Sequence, residues 1–365
     1  MRGIILLFVA MVLNVATNAQ EGVKFEDLTF KQALEKAKKE NKLVFMDCYT
    51  SWCAPCKKML SSVFIQKEAG DFFNPRFVCV KYDMEKGEGI ELAKKFGVKS
   101  FPTFFIFRPD GSIQHKVGGA GSLTSFIGWV ERGLNEKTSL DFLDKQYAKG
   151  PMEKEQLLDY YQTLVCAGEN EKGKKVLEEL KGKLQDKDKL QLDYWFMMED
   201  KPYGSEDFNF IVTHFQILKK NIGEEKVNAY LLNNYHKALD DGILRKGGTD
   251  EKAMKKLFDQ TSKEWASMKW VPDKRLQNKL KLLEACISKD SKCIVSCIEA
   301  GLNKQENPKW NYDLWVMLSA LDFVNVSGEK VDNGKILALE TRVNGYFASS
   351  ASMKKRLEPY FEKFR

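Results

Sequence analysis

Apolar residues follow two regimes along this chain. In the first third they come in short runs rich in β-branched and aromatic side chains. Leu43-Val44-Phe45-Met46-Asp47-Cys48-Tyr49, Phe77-Val78-Cys79-Val80-Lys81-Tyr82, Phe104-Phe105-Ile106-Phe107 and residues 113–117 read as strands. Between them apolar positions recur at helical spacing. A capping box, Thr29-Phe30-Lys31-Gln32, starts a helix that runs through residue 39, and further helices fall at 55–63, 89–96 and 123–134. This order predicts a mixed sheet flanked by helices, an α/β domain over residues 20–135.

After the polar stretch Asn135-Glu136-Lys137-Thr138-Ser139 the strand pattern ends. From residue 140 to 365 apolar residues recur at three and four, as in Leu157-Leu158, Tyr160-Tyr161 and Leu164-Val165, or Phe208, Ile211-Val212, Phe215 and Leu218. Breaks fall at Gly150-Pro151, Lys201-Pro202-Tyr203-Gly204, Gly247-Gly248, Trp270-Val271-Pro272 and Asn307-Pro308. The expectation is a second, all-α domain at 140–365. Stacked helix pairs are the arrangement such a series suggests, although no fixed repeat of matching residues emerges. Its aromatics, Tyr194-Trp195-Phe196, Trp265, Trp270, Trp310 and Trp315, read as core.

One segment carries chemistry. In Trp52-Cys53-Ala54-Pro55-Cys56-Lys57 two cysteines lie two residues apart where a strand hands over to a helix. Unsatisfied N–H groups and the positive dipole end of that helix stabilise a thiolate at Cys53, which makes Cys53 the nucleophile and Cys56, one turn on, the resolving thiol. Asp47 sits six residues earlier in an otherwise apolar strand, where a carboxylate is costly unless it is protonated or used. Phe101-Pro102-Thr103 places a proline at the first residue of a strand, and Pro109-Asp110-Gly111 marks a tight turn.

These residues, in this order, resemble the thioredoxin family over residues 23–134. The sequence around Asn74-Pro75-Arg76-Phe77-Val78, Phe96-Gly97-Val98 and Asp110-Gly111 most resembles the thioredoxin-like periplasmic domain of bacterial thiol:disulfide interchange reductases. The resemblance implies a cis Phe101–Pro102 bond, with Pro102 packed beside the cysteines. It also implies a catalytic set of Cys53, Cys56, Asp47 and Pro102, and a partner-binding surface of Trp52, Ala54, Pro55, Phe101 and Thr103. Two departures stand out. Ala54-Pro55 replaces the Gly-Pro common between such cysteines. On the neighbouring strand Cys79 is expected nearest to Asp47, where the family often has a lysine; a two-residue slip would bring Lys81 there, since alternation puts Cys79 and Lys81 on one face.

The start of the chain bears on compartment. Met1-Arg2, the apolar run 4–15 and Ala16-Thr17-Asn18-Ala19 have the three regions of a secretory signal, removed as residues 1–19; an uncleaved signal anchor is the alternative. The expected location is outside the cytoplasm, in a bacterial periplasm, with no membrane span after cleavage. The formal charge of +7, from 58 basic and 51 acidic residues, is spread with alternating sign as in Glu35-Lys36-Ala37-Lys38-Lys39-Glu40. It describes a solvated surface and not a nucleic-acid stripe.

Eight cysteines in 365 residues are too few for a disulfide scaffold, so the close pair is read as catalytic. Cys286, Cys293 and Cys297 lie near one another in sequence. A zinc site there lacks a fourth ligand, since His115, His214 and His236 are all distant in sequence, and buried free thiols are expected for these and for Cys48, Cys79 and Cys166. We therefore expect a thiol:disulfide oxidoreductase needing no cofactor or metal. Its partners would be protein disulfides or dithiols and an electron-donor thiol protein. The competing reading is a client-binding or scaffold protein in which the thioredoxin fold is structural and the helical domain holds the partner.

Overall fold

Residues Val44 to Cys48 are all buried, because the strand that holds them, β1 (Leu43–Tyr49), has a neighbour on each edge and helices on both faces. The computed structural model describes residues 22–302, 312–324, 333–348 and 350–365; the expected signal segment 1–19 and the break at Asn307-Pro308 lie outside them. In chain order the first elements are α1 (Phe30–Glu40), β1, α2 (Ala54–Lys58) with a π-helical turn over Met59–Val63, and α3 (Lys67–Phe73). Then come β2 (Phe77–Asp83), α4 (Glu88–Phe96), β3 (Thr103–Phe107), β4 (Ile113–Gly118) and α5 (Leu123–Leu134). The strand order is β2-β1-β3-β4, with β1 and β2 parallel and the other two pairings antiparallel.

Alternation along β1 builds two cores. Phe45 points into one with Phe64, Phe73, Phe77, Phe104 and Phe126, while Val44, Met46 and Cys48 point into the other with Phe30, Val78, Val80, Phe105 and Phe107. The predicted capping box is present: Thr29 accepts from the Gln32 N–H and Gln32 accepts from the Thr29 N–H. Helix α3 has no counterpart in the sequence reading. Its seven residues, Lys67–Phe73, are too few to show a helical period, and Phe73 joins the core through contacts with Phe45, Phe64, Phe77 and Phe126.

Beyond α5 the chain continues through α6 (Leu140–Lys149), α7 (Lys154–Cys166) and α8 (Asn170–Lys183). The chain divides into two compact units, one ending at Leu184 and the other running from Gln185 to Arg365, so residues 135–139 lie within the first. Several interactions tie the added helices to the sheet. The His115 Nδ1 on β4 accepts the Leu140 N–H, and Gly133 must be glycine because a Cβ there would come within 2.5 Å of the His115 ring. The Arg132 guanidinium on α5 donates to the Asp159 carbonyl and carboxylate, Gln162 Oε1 and Thr163 Oγ1. Lys116 pairs with Glu169 at 2.6 Å and Arg108 with Asp141 at 3.1 Å. Helices α6 and α7 thereby pack against β4, the edge strand of the sheet.

The second unit is helical among the described residues: α9 (Asp186–Lys189), α10 (Glu206–Thr213), α11 (Phe215–Ile222), α12 (Glu224–Ile243), α13 (Glu251–Met268), α14 (Lys274–Ser288), α15 (Ser291–Leu302), α16 (Tyr312–Ser319), α17 (Asn333–Tyr346) and α18 (Ala351–Phe361). Helices adjacent in sequence pair, α11 with α12 and α14 with α15. Of the expected aromatics, Trp195 and Trp265 enter the core, against Tyr230 and Tyr235, and Trp270 packs half-buried against it; Trp310 lies outside the described residues. Inside this unit Lys279 of α14 is buried between Asp240 of α12, at 2.6 Å, and Asp313 of α16, at 3.0 Å, and Arg275 also pairs with Asp313.

Two outcomes follow from these buried groups. Burial lowers the His115 pKa to about 4, the Trp129 carbonyl opposing, and protonation would remove the acceptor that holds Leu140. The depressed folded pKa means that His115 contributes fully above about pH 6.5, and that stability is lost as pH falls towards 4, by about 3 kcal/mol. Denaturant unfolding against pH should show this slope, and His115→Asn, which keeps an acceptor without titrating, should lack that part of it. Lys279→Met leaves two carboxylates without their buried partner and should cost about 3–5 kcal/mol in equilibrium unfolding, whereas removing an exposed pair such as Lys255–Asp259 should cost under about 1 kcal/mol.

Candidate active site

The chain leaves β1 at Tyr49, turns through Thr50-Ser51-Trp52, and enters α2 with Cys53 as its N-cap in an extended conformation (φ −69°, ψ 102°). The Cys56 N–H donates to Cys53 Sγ at 3.1 Å and the Lys57 N–H to the Cys53 carbonyl at 3.1 Å. Pro55 occupies the first turn, where its missing N–H costs nothing. Sulfur is thus set where the free N–H groups of the helix converge, the arrangement that favours a thiolate. Cys53 and Cys56 are joined as a disulfide with their Cα atoms 5.3 Å apart, and both are buried, whereas Trp52, Ala54 and Pro55 beside them are exposed.

Trp52 is 65% exposed, unusual for so large an apolar ring, yet it is fixed from two sides. Its indole N–H donates to the Glu85 carboxylate at 3.0 Å, and its ring meets Phe101 edge-on at 5.9 Å. Glu85 was not foreseen from the sequence; it sits in the turn after β2, and only the fold brings that turn to the Cys53 loop. The Phe101–Pro102 bond is cis. Thr103 begins β3 buried, paired with Cys48 of β1 and Gly118 of β4, and its hydroxyl donates to the Ser100 carbonyl at 2.8 Å. The Pro102 carbonyl accepts the Gly119 N–H at 2.9 Å. Cis-Pro102 therefore stands at the same end of the sheet as the exit of β1 towards Cys53.

Asp47 is 1% exposed, and its Oδ1 has no hydrogen-bond partner among the described residues. Burial raises its pKa to about 7, opposed in part by the Lys81 charge. The register corrects the expectation for its neighbour. Lys81, not Cys79, lies opposite Asp47, and Cys79 pairs with Phe45. The parallel pairing starts at Leu43 with Phe77, and this offset, set by how the aromatic core fits, moves the lysine two positions from where it was expected.

Six other cysteines carry free thiols. Burial, with Asp47 adding to it, pushes Cys48 well up, and burial likewise raises Cys79, so neither is reactive. Burial and the neighbouring thiols raise Cys286 and Cys297 to about 12. Among the described residues no helix is long and apolar enough to cross a membrane.

The thioredoxin family model matches residues 21–132. Thioredoxin-1 of Drosophila melanogaster is 34% identical over 85 residues, which are 21% of this chain and 75% of that protein. The thiol:disulfide interchange protein DsbD of Neisseria meningitidis is 30% identical over 119 residues, 32% of this chain but 20% of that protein. The solution structure of a Bacteroides thetaiotaomicron protein proposed to be a disulphide isomerase is 41% identical, covering 32% of this chain and 95% of that one, with a TM-score of 0.30. With the strand-to-helix cysteine pair, the buried Asp47 and the proline that opens β3 all on the matched segment, the chain belongs to the thioredoxin family of thiol–disulfide oxidoreductases, and Cys53–Cys56 is its redox disulfide.

Proposed function

We propose that this protein is exported and reduces or exchanges disulfides of partner proteins through Cys53 and Cys56, with electrons from a donor thiol protein. The observation that carries the reading is the Cys53–Cys56 bond at the start of α2, with the Cys56 N–H directed at Cys53 Sγ. In the dithiol form the Cys53 thiolate attacks one sulfur of the partner's disulfide and expels the other as a thiolate, which takes up a proton. Cys56 then loses its proton to the Asp47 carboxylate, directly or through water, and attacks Cys53 Sγ. The partner leaves as a dithiol and the Cys53–Cys56 disulfide is restored, ready for a donor thiol. A carboxyl with a pKa near 7 is suited to this transfer, since it exchanges protons readily at neutral pH. Trp52, Ala54, Pro55, Phe101 and Thr103 would frame the partner's chain, and Pro102 would orient it beside the sulfurs. Export is supported by the signal-like pattern of residues 1–19.

Disulfide reduction, measured with insulin, should vanish in Cys53→Ser, whereas Cys56→Ser should accumulate covalent complexes with partners. Equal loss in both variants without a trapped species would overturn the assignment of roles. Asp47→Asn should slow resolution of the mixed disulfide about tenfold or more while leaving the first attack nearly unchanged, read by rapid mixing. The same variant tests the cost of burial. The folded pKa of Asp47 is raised above its unfolded value, so its contribution is fully present at low pH and is lost as pH rises through about 7. Above pH 8, Asp47→Asn should therefore be more stable than the parent by about 3–4 kcal/mol, with the gain disappearing near pH 4.

A further inference from the structure

Three backbone segments meet at the end of the sheet that carries the cysteines, and a fourth joins them from outside the segment matched by the family. The exit of β1 pairs Cys48 with Thr103, Thr103 pairs with Gly118 at the end of β4, and the Gly119 N–H bonds to the Pro102 carbonyl. Among the described residues the sheet has no strand beyond β4. Against the end of β4, on the face that a Gly118 side chain would share with Lys116, stands the turn between α7 and α8: the Ala167 carbonyl oxygen lies 3.4 Å from where a Cβ on Gly118 would sit, and the Gly168 nitrogen 3.5 Å from it.

This turn is built to hold its position. Its N–H groups are satisfied within the end of α7, Ala167 to Thr163, Gly168 to Val165 and Glu169 to Leu164. Ala167 is buried, and the Glu169 carboxylate takes the ammonium of Lys116, which lies two residues before Gly118 on the same face of β4. Arg132 fixes the preceding turn of α7 through Thr163. Gly168, with φ +72° and nothing within 4 Å of its Cβ position, is the exposed crest.

We propose that the Ala167–Glu169 turn is the outer wall of the partner groove and determines which polypeptide disulfides reach Cys53. This rests on the reading that a partner's chain runs beside Pro102. A disulfide inside a polypeptide has chain on both sides of each sulfur, and a chain passing Pro102 on the β4 side must cross Gly118, Gly119 and then this turn. A small disulfide has no such flanks and does not reach it. The wall selects by shape and by charge, since Glu169 and Lys116 hold opposite charges side by side at the rim.

The test uses the full-length chain and two substrates, insulin and 2-hydroxyethyl disulfide. Gly168→Asn adds a side chain at the crest in a backbone conformation that asparagine tolerates, and Glu169→Gln removes the charge while keeping an acceptor. The ratio of kcat/KM for insulin to that for the small disulfide should change about fivefold or more in Gly168→Asn, through KM. Independently, in the Cys56→Ser chain trapped with insulin and with the turn unaltered, amide hydrogen exchange of residues 164–172 should slow relative to the free chain. A ratio unchanged from the parent, whether both rates stay constant or both fall together, overturns the proposal, as does a trapped complex in which the turn exchanges as in the free chain. Failure of Cys56→Ser to trap insulin at all is a separate result, which removes the redox reading and the proposal with it.

Discussion

The backbone pairing of β1 on both its edges is the constraint from which the rest of the first unit follows. Parallel pairing with β2 and antiparallel pairing with β3 satisfy the N–H and C=O groups of Leu43–Tyr49 without water, so side chains on both faces can be buried. Two aromatic-rich cores form around one strand. The same strand then fixes the site: its end launches the loop to Cys53, its pairing with Thr103 brings cis-Pro102 to that end, and its interior holds Asp47 away from solvent.

Burying Asp47 sets stability against chemistry. A carboxylate with an oxygen lacking a hydrogen-bond partner in the sheet is destabilising once ionised, and nearby Lys81 offsets only part of this. A fold selected for stability alone would place an apolar residue there. The pKa near 7 that results lets the group exchange a proton close to neutral pH. Cys48, the next residue, shows the contrast: burial and the Asp47 charge push its thiol up and leave it inert, while Cys53, six residues from Asp47, sits at a helix start that favours the thiolate.

Helices α6 to α8 extend the thioredoxin fold and close its exposed side. A four-stranded sheet ending in β4 leaves an edge open to pairing with other chains; α6 and the α7–α8 turn pack against that strand at His115 and Lys116, and Arg132 joins α5 to α7. This packing brings the backbone of the Ala167–Glu169 turn beside Gly118 at the end of β4. Polar contacts at chosen points, together with buried apolar residues such as Leu143, Leu164 and Ala167, fix where that backbone stands.

Much of this was legible in the sequence because it depends on neighbours along the chain. A cysteine pair two residues apart at a strand-to-helix junction, a capping box and alternating apolar runs are local patterns, and they specified the redox chemistry, the strands at 43–49 and 104–107 and the helix at 123–134. Even the cost of Asp47 could be foreseen, since an acidic residue within an apolar run has nowhere wet to go. What depends on distant partners was not legible. The register that sets Lys81 opposite Asp47, the aromatic contacts that seat α3 through Phe73, the Glu85 bond to Trp52 and the turn from α7 beside Gly118 all join residues far apart in sequence. Local propensity is blind to such contacts. They are decided when whole side-chain volumes and buried hydrogen-bonding groups must be fitted at once, which only the tertiary structure does.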